Sequence, residues 1–154
     1  MTDLVILARE KYYYNNDTGT LHSIKTGVEV GYYKKADNRR YVQLGDKQYA
    51  SYRVIYALEF GVFPAAIDHI NGNPNDNHIS NLREATPLLN SQNLRKAMKC
   101  SKTGVLGVSP RKGKFIATLN VNGRQMYCGT FTNACDAEAV YLQAKRQFHE
   151  GCTL

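Results

Sequence analysis

Tryptophan is absent from this chain, and so, across 51 consecutive positions, is negative charge: no Asp or Glu stands between Glu84 and Asp136. Cysteine is sparse. The four at 100, 128, 135 and 152 form no CxxC pair, which excludes a zinc ribbon and any evident disulfide framework. They read as reduced and structural, and no structural zinc is expected. No apolar run approaches the roughly 18 residues that would span a bilayer. Met1-Thr2-Asp3-Leu4 does not open a signal peptide. A cytoplasmic protein with no membrane partner is the expectation.

Inside the acid-free segment stand Arg95, Lys96, Lys99, Lys102, Arg111, Lys112, Lys114 and Arg124. These cations alone exceed the net charge of +7. Single-sign charge interleaved with Tyr, Asn and Gln is the electrostatic footprint of a polyanion-binding surface. Double-stranded DNA is the expected partner.

The 154 residues suffice for one medium domain or several small ones. Residues 1–60 read as a β-rich N-terminal region plus a helix, with short extended segments at 12–14, 21–24, 29–33 and 40–44. The helix carries Val54, Ile55 and Leu58 at helical spacing and ends at Gly61. Residues 61–99 read as two short strands, near 66–70 and 81–83, and a helix opened by Thr86-Pro87. That helix carries Asn90 and Asn93 one turn apart on a shared face. A linker at 100–103 leads to a unit at 104–154. There Val121-Asn122-Gly123-Arg124 signals a type I′ hairpin pairing Val121 with Arg124, Leu119 with Met126, Ala117 with Cys128 and Phe115 with Thr130. A helix follows from about Asn133 to near Gly151. The fold class is α+β, ending in a three-stranded antiparallel sheet backed by one helix.

One short span concentrates the chemistry. Asp68-His69 is followed by an Asn-rich loop, by Asn81 twelve residues after the histidine, and by Asn90 nine further on. A carboxylate and an amide oxygen are hard donors suited to one Mg²⁺ or Mn²⁺ that keeps water and phosphate in its remaining positions. Strand alternation turns His69 away from Asp68, so its imidazole can take a proton from attacking water without ligating the ion. The chemistry that fits is phosphodiester hydrolysis.

Segment 64–93 resembles the HNH homing-type endonucleases, whose fold is the ββα-metal finger. The resemblance rests on Asp68-His69-Ile70-Asn71-Gly72-Asn73, Asp76-Asn77 and Ser80-Asn81-Leu82-Arg83. It implies His69 as general base, Asp68 and Asn90 as metal ligands, and Asn81 as the residue bracing the loop so that His69 faces the phosphate. Asparagine at position 90 is similar to the phage intron-encoded branch, where other members carry histidine. Tyr52-Arg53 departs from the usual His-Arg, and His78 stands where arginine is common. Arg83 and Arg95 are candidate phosphate clamps or else ordinary surface charges; His78 and Asn93 are secondary candidates.

Segment 104–149 resembles the plant ethylene-response-factor (APETALA-type) DNA-binding domain. The matching residues are Gly104-Val105, Gly107-Val108, Lys114-Phe115-Ile116-Ala117, Gly129-Thr130-Phe131 and the helix with Ala137, Ala139 and Tyr141. The resemblance implies a sheet in the major groove, with Arg111, Lys114 and Arg124 as DNA contacts. Strand alternation adds Lys112, Thr118, Asn120, Gln125 and Tyr127, and the acid-free stretch adds Lys96. The combined expectation is a metal-dependent HNH DNA endonuclease of homing type. With one active site per chain it nicks one strand unless two copies assemble, which makes a homodimer a candidate assembly. The rival expectation is a non-catalytic DNA-binding protein that retains the HNH scaffold.

Overall fold

The computed structural model describes residues 3–154, which divide into two compact units, Met1–Thr86 and Pro87–Leu154. The division differs from the boundaries expected near 60 and 100. Its cause is visible in the polar groups around and beyond the short helix of the second unit. The Gly151 N–H donates to Gln92 Oε1 at 3.0 Å, the Thr153 hydroxyl donates to Asn93 Oδ1 at 2.7 Å, and Arg95 donates to the Thr153 carbonyl at 2.9 Å. The buried Lys145 ammonium donates to the Leu94 carbonyl. These bonds fasten residues 92–95 to the C-terminal tail, so the helix before them belongs with the tail.

The first unit opens with a helix the sequence reading did not foresee, α1 (Asp3–Lys11). Leu4-Val5-Ile6-Leu7 is a short apolar run whose period is ambiguous by itself. Burial of Val5 and Ala8, three apart, supplies the helical face, and Arg9 and Lys11 in the last turn suit the helix dipole. The hairpin β1 (Tyr12–Asn15) and β2 (Thr20–Ser23) turns at Asn15, whose Oδ1 accepts the Asp17 N–H at 3.0 Å. A second sheet of order β3-β4-β5 comprises Tyr32–Lys34, Arg39–Leu44 and Lys47–Ala50. Helix α2 (Ser51–Phe60) ends at Gly61, left-handed at φ 72°, whose N–H bonds the Ala57 carbonyl at 2.9 Å. Val54, Ile55, Leu21, Leu44 and Val42 form the centre of this unit's core. Two short strands complete it, β6 (Ile67–His69) and β7 (Leu82–Glu84), paired antiparallel with Asp68 opposite Arg83.

The second unit begins with α3 (Pro87–Gln92). This helix stops short of Asn93, which is 5% exposed and bound to the tail, so Asn90 and Asn93 do not share an exposed helical face. The sheet follows, ordered β10-β9-β8, from Val108–Arg111, Lys114–Val121 and Arg124–Phe131. Asn122 and Gly123, at φ 51° and 78°, make the expected type I′ turn. The expected register holds through Leu119–Met126 and then slips. Ala117 faces Gly129 rather than Cys128, and Phe115 faces Phe131 rather than Thr130. A bulge at Cys128 is the cause, and alternation alone cannot reveal an inserted residue. Ala117 and Leu119 are buried with Ala137 and Tyr141 of α4 (Ala134–Phe148). Asn133 caps α4 by accepting the Asp136 N–H at 2.8 Å.

Gly107 marks the tightest packing in this unit. Its φ is +70°, and a Cβ there would meet the Tyr141 ring at 2.0 Å. Gly107→Ala is expected to cost about 2–4 kcal/mol from overpacking and left-handed strain together. A urea melt followed by tyrosine fluorescence would read this as a lower midpoint for the second unit.

Candidate active site

The site begins with strand alternation in β6. Ile67 and His69 turn inward, 7% and 5% exposed, while Asp68 takes the other face. The two side chains diverge as expected, yet the imidazole does not project freely toward water. Facing the core side with Ile67, its ring meets that of Tyr52 edge-on, with centroids 5.0 Å apart at 64°. Its Nε2 lies 3.0 Å from Asn77 Oδ1. With Nε2 donating to that amide oxygen, the neutral ring carries its lone pair on Nδ1. Burial above all lowers the His69 pKa below the ordinary 6.5; the bond to Asn77 opposes this, and the charge of Arg39 adds to it. The imidazole is therefore neutral at pH 7, the form a general base requires.

Asn81 holds the loop that brings Asn77 there. It is 8% exposed, and its Oδ1 accepts the Asn71 N–H at 2.9 Å. Its Nδ2 donates to Asn71 Oδ1 at 3.0 Å and to the Asp76 carbonyl at 2.7 Å. Three bonds from one side chain tie both ends of the loop together. Asn81 thus ties down the loop whose Asn77 side chain meets His69. No role for Asn77 was read from the sequence. The signal was present: an amide inside an Asn-rich turn is a natural second partner for a histidine at its base.

His78, a secondary candidate for substrate contact, donates from Nδ1 to Asp76 Oδ1 at 2.7 Å and packs against Gly19. Asp76 raises its pKa, and His78 in turn lowers that of Asp76. The two histidines therefore titrate on opposite sides of 6.5. Proton NMR of the metal-free protein is expected to place His78 above that value and His69 below it, with His78→Gln assigning the signals. The stability contributions have opposite signs. The His78 pair contributes below pH 6.5 and loses its contribution as pH rises through the raised value. His69 costs stability as pH falls below 6.5, because the unfolded chain takes the proton first.

Asp68, the anionic candidate ligand, has a side chain 11% exposed and receives Arg83 from across the strand pair. Two bonds from Arg83, from Nε at 3.0 Å and Nη2 at 2.7 Å, end on the same oxygen, Oδ2. Arg83, a candidate phosphate clamp or ordinary surface charge, bonds the Asp68 carboxylate. Among the described residues no three His, Cys, Asp or Glu side chains gather into a protein cage for a metal. A carboxylate with an amide oxygen instead suits a hard cation that keeps its water and meets phosphate, so the donor chemistry fits Mg²⁺ or Mn²⁺. Asn90 is half-buried on α3 and belongs to the second unit. One unit therefore brings together Asp68, His69, Asn77 and Asn81, and the other carries Asn90.

Of the remaining candidates, Asn93 is buried as an acceptor for Thr153, and Arg95 is engaged by the Thr153 carbonyl and hydroxyl. Lys96 is exposed. Arg111, Lys114, Thr118, Asn120, Gln125 and Tyr127 fall on the sheet face opposite the buried Ala117 and Leu119. Gln125 bonds Thr118 at 3.4 Å, and Tyr127, 64% exposed, bonds Thr130 at 2.7 Å. Lys112 and Arg124 stand at the two hairpin ends. An open, cationic, hydrogen-bonding sheet face of this kind can enter a major groove.

Residues 49–92 match the family model for HNH endonucleases. No curated protein and no solved structure matches the chain. The matched segment runs from β5 through α3 and contains Asp68, His69, Asn77, Asn81 and Asn90. It supports a nuclease of the HNH kind acting on DNA.

Proposed function

We propose that this chain is a divalent-metal-dependent DNA endonuclease, of homing type by its resemblances, that leaves 3′-hydroxyl and 5′-phosphate ends. The observation that carries the reading is the Asn77-oriented imidazole of His69 inside the segment that matches HNH endonucleases. His69 accepts a proton at Nδ1 from the attacking water. Asp68 would be the anionic ligand of one Mg²⁺ or Mn²⁺; Asn90, the second ligand that the resemblance implies, is carried by the other unit. That ion would draw charge from the phosphoryl oxygens and favour departure of the 3′ oxygen. Arg83 fixes the Asp68 carboxylate, and Asn81 fixes the loop that carries Asn77. The exposed face of β8–β10 supplies DNA affinity, with Arg111, Lys112, Lys114 and Arg124 meeting phosphates. A bacterial cytoplasm, entered with a phage or other mobile element, is the setting this reading implies.

The test is supercoiled plasmid incubated with purified protein. Relaxation in Mg²⁺ or Mn²⁺, suppressed by excess EDTA, is the expected result; cutting that persists in EDTA would overturn the mechanism. A second reading draws on the Asp68–Arg83 pair, because a carboxylate satisfied by a guanidinium also suits an inert scaffold. Under that reading the protein binds DNA without cutting it. A gel shift unchanged by EDTA, with no cleavage in any divalent metal, would establish it.

A further inference from the structure

The first unit carries a cation whose partners are unusual. Arg39 opens β4, half-buried, and among the described residues no carboxylate bridges it. Its neighbours differ. Arg40 pairs with Glu29 at 3.2 Å, and Asp37 is committed to Lys34 at 2.9 Å and to the Tyr41 hydroxyl at 2.8 Å. Arg39 instead turns to Tyr52. Its Nη1 donates to the phenol oxygen at 3.1 Å, and its Cζ lies 5.0 Å from the ring centroid. Tyr52, 8% exposed, is the same ring that meets His69 edge-on. A guanidinium, a phenol and the candidate base therefore form one contiguous row within a single unit.

We infer that Arg39 is a substrate-binding residue of the nuclease site, its guanidinium gripping the non-bridging oxygens of the phosphate under attack while Tyr52 holds it beside His69. This rests on the nuclease reading above. A guanidinium has five N–H donors in a fixed fork, and the contact to Tyr52 occupies one of them. The fork matches phosphate oxygens, and pairing with an arriving anion offsets the cost of holding a cation partly out of water. Position 52 gains a role by the same geometry. Tyr52 orients Arg39 through its hydroxyl, and Arg39 meets the phosphate.

Single-turnover nicking of supercoiled DNA in saturating Mg²⁺ tests this, alongside gel shifts in EDTA and thermal melts. Arg39→Gln is expected to lower the rate about 10²-fold, the loss typical of one donor to a developing oxyanion. DNA affinity and melting temperature should change little. Arg39→Lys restores part of the rate by keeping the charge, and Tyr52→Phe falls between wild type and Arg39→Gln. Wild-type rates in Arg39→Gln would overturn the inference and leave the nuclease reading intact. So would a loss in Arg39→Gln and Arg39→Lys alike that tracks a lowered melting temperature, which would make Arg39 a scaffold residue. Absence of cutting by the wild-type protein in every divalent metal would remove the nuclease reading and Arg39's role with it.

Discussion

Nicking of supercoiled DNA is expected to fall by about 10²–10⁴-fold in His69→Ala, the usual contribution of a positioned general base. DNA affinity in EDTA should be retained if the sheet of the other unit supplies it, as proposed above. The loss has a structural competitor. His69 is 5% exposed and packs against Tyr52, so alanine also leaves a small void. His69→Gln separates the two effects by filling the space with a side chain that cannot act as a base near neutrality. An equally inactive His69→Gln with an unchanged melting temperature is the expected outcome. Cleavage at wild-type rates by either variant would remove His69 from the mechanism.

Asp68→Asn is expected to be comparably severe, on the order of 10²-fold or more, because a metal ion contributes several kcal/mol of charge stabilisation that depends on its anionic ligand. Asparagine is the informative replacement. It keeps an oxygen for Arg83 Nε and Nη2, both of which bond to Asp68 Oδ2. Alanine would leave a partly buried guanidinium without its acceptor and confuse lost stability with lost chemistry. The diagnostic readout is the Mg²⁺ concentration for half-maximal cleavage, which should rise in Asp68→Asn while the fold persists. A variant with unaltered metal dependence would exclude Asp68 as a ligand.

Much of this was legible in the chain because the informative signals were local. Asn122-Gly123 specifies a type I′ turn through two positive φ angles, Gly61 ends α2 in the left-handed conformation, and Asn133 caps α4 with its own side chain. Each requires only neighbouring residues. What stayed hidden depended on register or on distant partners. Asp68 meets Arg83 because β6 and β7 align them, and no spacing rule gives that alignment in advance. Tyr52 reaches His69 from a helix, and Arg39 reaches Tyr52 from a strand, with no motif of their own. The bulge at Cys128 shifts two pairings that alternation had placed one residue away. Helix α1 depends on burial of Val5 and Ala8 against residues still to come in the chain.

The fastening of residues 92–95 to the C-terminal tail bears on how this protein can be re-engineered. A designer wishing to replace the second unit would naturally splice at the polar stretch 100–103 and exchange everything downstream. That graft would strip Gln92, Asn93, Leu94 and Arg95 of Gly151, Thr153 and Lys145 in one cut. A junction at Thr86/Pro87, carrying α3 over with its own anchor, respects the seam along which the chain divides. Each exchanged second unit would then come with its own copy of Asn90.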